Sequence, residues 1–287
     1  MRIPRLGPLL RGVLLACAAA VFSVPAICAP ARPAAAPCVL AGTALLEDIV
    51  ADLGGGTLTA RTLIPGSACP GHADLRASDV AFSREAGLIL IHDWQRDMPM
   101  LRALARTAPE TQARTRVVPA PGNWMLPGRQ AEATTAVAKL LSELAPGQAK
   151  GIQARAKARQ TRIAATADRL RERAARAGLV GVRVACDGMQ RPLLEWLGLV
   201  VVAEYGRMEG MTPRQMAEVA AKAKAGGARL VVDNLQSTGG SGRALAEDLG
   251  AGHAVLTNFP GVPGGETWEK AVAWNVERLA AAAGARR

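Results

Sequence analysis

Residues 149–177 read AKGIQARAKARQTRIAATADRLRERAARA, and how this stretch folds decides the rest of the chain. Within it Ile152, Ala156, Ile163, Ala167, Leu170, Ala174 and Ala177 recur at spacings of three, four or seven, which is one narrow stripe on a helix. At about 1.5 Å per residue, a helix from 148 to 177 spans roughly 45 Å. That is longer than a modest lobe needs internally, so the spacing predicts a strut between two lobes. The wider segment 129–178 consists almost entirely of helix formers, broken only at APGQAKG, residues 145–151.

On either side of this connector, short apolar runs alternate with helical patterns. Before it, CVLAG (38–42), LTARTLI (58–64), GLILIH (87–92) and TRVVPA (115–120) predict strands. Helices fall over TALLEDIVADL, which stops at Gly54 to Gly56, over about 76–84, and over MPMLRALART. After it, GVRVAC (181–186), LGLVVVAEY (197–205), ARLVVDN (228–234) and GHAVLTN (252–258) predict four more strands. Helices are expected between them near 188–197, 212–225 and 241–249, with a last one near 266–283. Such alternation gives parallel sheets covered on both faces. The expectation is an α/β protein with two such lobes, residues 38–128 and 179–287, joined by the long helical segment 129–178.

Residues 1–29 predict a signal peptide running into a Pro/Ala-rich linker. Arg2, Arg5 and Arg11 precede GVLLACAAAVFSVPA, and small residues follow as cleavage sites at Ala26 or Ala29. Pro25 ends the apolar run before the roughly 20 residues a membrane-spanning helix needs. Leu15 and Ala16 before Cys17, and Ile27 before Cys28, make poor lipoprotein signals, so the expected location is the periplasm. Export leaves Cys38, Cys69 and Cys186, with Cys28 a possible fourth, in an oxidising compartment.

Of the 287 residues, 49% are apolar, enough for a sizeable core, and only 3% are aromatic, which argues against stacking platforms for bases. The formal charge is +11. Nine Lys or Arg between Lys150 and Arg176, against Asp168 and Glu172, supply most of the excess. A solvated helix face is the simplest account of them, attraction to anionic envelope polymers the alternative, and no module for nucleic acid accompanies them.

Ligands of parallel α/β sheets collect beyond the carboxyl ends of the strands. That rule selects Cys69 and His72 after the second strand, His92 and Asp93 after the third, and Cys186 and Asp187 at the fifth. Asp233, Asn234, Thr257 and Asn258 end later strands, and Asn123 and Trp124 precede the connector. Cys38 begins its strand, too far from Cys69 for a disulfide. Cys69 and Cys186 are expected to face one cleft, and thiolate and imidazole donors from Cys69, His72, His92 and Cys186 would suit zinc in tetrahedral coordination. His253 starts its strand and is assigned to the opposite edge as a structural residue. A thiol hydrolase using Cys186 with a cleft histidine is the contrasting reading, ranked below binding because Cys186 lacks a glycine elbow. GGSG (239–242) is no nucleotide loop, since no Gly-Lys-Ser/Thr follows, and is expected to cap the next helix through Ser241.

Taken together, the blocks CVLAGTALLEDIVADLGG, LIPGSACPGHADLRASDVAFSREAGLILI, GNWMLPGRQAEATTAVAKLLSELAP, VRVACDGMQRPLLEWLGLVVV and TPRQMAEVAAKAKAGGARLVVDNLQ, with the later AVLTNF, resemble in order and spacing the metal-binding solute receptors of zinc and manganese ABC importers. The resemblance covers nearly all of residues 38–283 and implies the cluster A-I type of solute-binding fold. It implies no enzyme: an exported, monomeric receptor would capture a transition-metal ion, zinc first, between the lobes and deliver it to an ABC permease. His72 matches the family's first ligand histidine. Asn123 stands where the second is expected, Cys186 where the third is, and Thr257 or Asn258 near the usual carboxylate. Cys69 and His92 would then complete a thiolate-rich site. The other implied possibility is a chelated metal or another small solute held in the same cleft.

Overall fold

The computed structural model describes residues 36–207, 210–237 and 240–284. The signal-peptide reading, with Cys17 and Cys28, falls outside the described residues.

Four short strands, β1 (Cys38–Ala41), β2 (Thr59–Thr62), β3 (Leu88–Ile91) and β4 (Thr115–Val117), form a parallel sheet in the order β2-β1-β3-β4. A second parallel sheet, β6-β5-β7-β8, repeats that order with β5 (Arg183–Asp187), β6 (Val200–Tyr205), β7 (Leu230–Asn234) and β8 (Gly252–Leu256). β3 is LILI and buried throughout, as a strand covered on both faces must be. In each sheet the strand order reverses at the first strand, which opens a crevice beyond the carboxyl ends of β1 and β3, and of β5 and β7.

The helices follow the expected pattern. α1 (Ala44–Gly54) buries Leu45, Leu46, Ile49, Val50 and Leu53 and ends at Gly55, whose φ of 55° is left-handed and suits glycine. α2 (Ala77–Glu85) and α3 (Pro99–Thr107) complete the first lobe; α6 (Arg191–Trp196), α7 (Pro213–Ala225), α8 (Arg243–Leu249) and α9 (Trp268–Gly284) cover the second.

The connector is a hairpin of two helices. α4 (Pro127–Leu144) and α5 (Ala149–Arg176) turn on a short 3₁₀ segment at Pro146–Gln148. Gln153 Nε2 donates to Ser142 Oγ at 2.9 Å and Gln160 Nε2 to Thr135 Oγ1 at 2.7 Å, so the two run antiparallel. Only α5 is the strut, 28 residues long. Its buried stripe is Ile152, Ala156, Arg159, Ile163, Thr166, Leu170 and Ala174. Arg159 enters this apolar line, where periodicity gives no place to a cation, because Asp48 and Asp52 of α1 meet its guanidinium.

One hydrophobic cluster runs from Val39 and α1 through Val137, Leu141, Ile163 and Leu170 to Val184, Leu193, Val272 and Val276. Both sheets therefore share a single core built around α4 and α5. Two smaller clusters lie apart from it, one around Leu40, Ile89 and Leu104 and the other around Ala185, Val231 and Ala246.

Candidate functional site at the seam between the sheets

The carboxyl edges of the two sheets face one another, and a row of hydrogen bonds joins them. Gln236 Nε2, after β7, donates to Gly66 O, after β2, at 2.6 Å. Asn123 Nδ2, ahead of α4, donates to Met189 O at 3.1 Å and to Asn258 Oδ1 at 3.4 Å. Gly66 lies so close to the loop after β8 that a β-carbon there would sit 1.9 Å from Pro260 O. The position requires glycine.

Amides fill the middle of this seam. Asn123 Oδ1 accepts from Met125 N at 2.8 Å, Asn258 Nδ2 donates to Asn234 Oδ1 at 3.4 Å, and Gln190 Nε2 reaches the same Asn234 oxygen at 3.1 Å. Gln236 Oε1 receives Asn258 N, and its Nε2 also donates to Thr257 Oγ1. Gln190 Oε1, fully buried, has no hydrogen-bond partner among the described residues. Asp187, at the end of β5, accepts from Met189 N and Ser237 Oγ at 2.8 Å each.

At the outer end of the seam a cation crosses between lobes. Arg207, two residues past β6, places Nη2 2.6 Å from Cys69 Sγ and Nη1 3.5 Å from His72 Nδ1. His72 is exposed and Cys69 half-buried, on the 3₁₀ turn that follows β2.

The other two expected donors are placed elsewhere. His92 follows β3 but is buried against two rings, 4.0 Å from Trp124 and 5.3 Å from Trp94 by centroid, with Nε2 2.7 Å from Thr43 Oγ1. Burial pulls its pKa down to about 3, so the imidazole is neutral and engaged. Cys186 is inaccessible to solvent and belongs to the shared apolar core, which corrects the expectation that it faces the cleft with Cys69. β5 is buried on both faces; Cys186 lies with Val184 on the face toward the shared core and Ala185 on the other, leaving Asp187 as the side chain at the strand end. Burial, then the nearby Glu204 and Asp187 charges, push its thiol up to about 12, which disfavours the thiolate that a ligand or nucleophile needs. Cys38, Cys69 and Cys186 are all unpaired thiols. Among the described residues no three His, Cys, Asp or Glu side chains gather closely enough to hold a metal ion.

His253 is structural, its Nε2 2.8 Å from Asp233 Oδ2. Gly240 N and Gly242 N also donate to that carboxylate, so the backbone here holds the chain's own anion; the residue capping α8 is Gly242, with no side-chain cap bond, which corrects the expectation that Ser241 caps it. Sequence reasoning missed Arg207, Gln190 and Gln236. The strand-end rule, applied to β6 as it was to its neighbours, points to Arg207 in the run EYGR.

Two parallel sheets with matching strand order, meeting at their carboxyl edges over one long helix, form a two-lobed α/β fold of the solute-binding type. Among the described residues no helix is long and apolar enough to cross a membrane. The model of the family described as ZnuA, zinc-uptake complex component A, periplasmic, matches residues 39–282, and the chain belongs to that family. That family is a receptor class, which is not an enzyme class. Similar solved structures share the fold. A periplasmic metal-binding protein from Candidatus Liberibacter asiaticus superimposes with a TM-score of 0.71 at 16% identity, over 86% of this chain and 99% of that one. A ZnuA crystal structure gives 0.71 at 15% identity over 86% and 99%, and a zinc-bound ZnuA deletion mutant gives 0.70 at 16% over 86% and 98%. No curated protein matches the chain.

Proposed function

We propose that this chain is the periplasmic receptor of an ABC importer, exported by the leader in residues 1–29. It captures a transition metal of the zinc class between the lobes 38–128 and 179–287 and passes it, as a monomer, to a membrane permease. Membership of the zinc-uptake family supports the class. Proteins of the same fold have been solved with zinc, manganese or cadmium bound. The observation that carries the reading within this chain is that Cys69 and His72, on one turn, both face Arg207 of the other lobe across the seam. A thiol and an exposed imidazole sit on one turn, where a cation would touch both lobes. Differential contact with the two lobes is what makes a cargo favour the closed form. Burial of Cys186 weighs against the thiol-hydrolase alternative.

Elemental analysis of the mature protein, purified reduced and without chelators, tests this. Stoichiometric metal that is lost in His72→Ala and in Cys69→Ser is the expected result. Absence of metal after exposure to zinc, manganese, nickel and copper(I) salts and their carboxylate complexes would overturn it.

A further inference from the structure

Zinc takes four donors, and His72 with Cys69 supplies two. His92 is held by Thr43, Cys186 is in the core, and Asn123 and Asn258 are bonded to each other and to the backbone. Neutral amides are also poor donors for zinc. The guanidinium of Arg207 lies against both Cys69 and His72 and repels a bare dication placed there.

We infer that the metal arrives already held by an anionic, carboxylate-bearing chelator, and that Arg207 recognises the complex by its negative charge while His72 and Cys69 complete the metal's coordination. This rests on the reading of the chain as a metal receptor. Two features converge on it. A guanidinium presents a planar fork that matches a carboxylate in two parallel hydrogen bonds, and it turns from obstacle to anchor once the cargo is an anion. A surface cavity of about 430 Å³ opens on the second-lobe side of Arg207, lined also by Gln215, Lys222, Glu204 and Glu218 but not by Cys69 or His72; its two carboxylates are paired with Arg191 and Arg214, and it gives a chelator room that a bare ion does not need.

Calorimetric titration of the full mature chain with zinc citrate, with zinc ion in a non-coordinating buffer, and with citrate alone tests the inference. Zinc citrate is expected to bind at least about tenfold more tightly than the bare ion. Arg207→Ala abolishes that advantage, and Arg207→Lys, which keeps the charge and loses the fork, restores only part of it. The inference is overturned if bare zinc binds as tightly as the complex, if Arg207→Ala binds the complex unchanged, or if citrate alone binds equally well. Bare zinc bound one per chain, with citrate merely competing, leaves the metal receptor standing and removes only the chelate. Failure of both zinc and zinc citrate to bind removes both.

Discussion

His92 sits against two tryptophan rings with Nε2 against the Thr43 hydroxyl, and burial sets its protonation. Its folded pKa of about 3 lies below the ordinary 6.5, so between those values the unfolded chain takes up a proton that the folded chain refuses. The stability tied to neutral His92 is complete above about pH 6.5 and drains away as the pH falls toward 3. The urea midpoint of the wild type is expected to fall more steeply from about pH 6.5 to about pH 4 than that of His92→Gln, which has nothing to titrate there. Equal slopes would mean that His92 is solvated in the folded state. This residue also shows why the candidate site was only partly legible in the sequence. The strand-end rule selected Cys69, His72 and Asn258 by position alone, because topology fixes where strands end. Which side of a strand a residue faces, and whether a neighbouring hydroxyl has already claimed it, depend on packing. Cys186 and His92 were decided by that.

Among the elements, α5 carries the most unusual interaction. Arg159 has a side chain 2% exposed, inside an apolar stripe, paired with Asp48 and Asp52 of α1. Arg162 beside it bridges Asp52 to Glu269 of α9, and Arg173 binds Glu277 of α9. The positive run therefore does more than face solvent, since several of its members fasten the strut to both lobes. Burial holds the Asp48 carboxyl above the ordinary carboxylate range even with Arg159 against it. Such a pair is costly to break singly, because the survivor is left charged and dry. Arg159→Met is expected to cost about 3–5 kcal/mol in urea unfolding, and adding Asp48→Leu to recover much of it. A single-variant loss below about 1 kcal/mol would show the pair to be effectively solvated. The helices themselves were legible, since their apolar spacing is set by 3.6 residues per turn. The polar residues within the stripes were not, because their partners lie about 110 positions away.

At the scale of the whole molecule, both sheets pack on one core and cannot move as independent bodies without opening it. A through-going helix bound to α1 on one side and α9 on the other restricts the lobes to a small rocking motion. The two-lobed architecture was readable from the block order and the connector alone. The shared core was not, because contact between lobes is a property of no single segment.

The contact of Gly66 with Pro260, and the hydrogen bonds of Gln236 and Asn123 beside it, close the seam with the chain's own groups. Cargo that passes beyond the exposed Cys69–His72–Arg207 cluster into the seam must wait for these to part, so that deeper step of capture is gated by a breathing motion that belongs to the protein and not to the ligand. In stopped-flow mixing, the observed rate is expected to level off as cargo concentration rises, at a plateau set by how often the seam opens. Gln236→Ala, which removes one clasp, should raise that plateau; a rate that climbs linearly without limit would mean the door is already open.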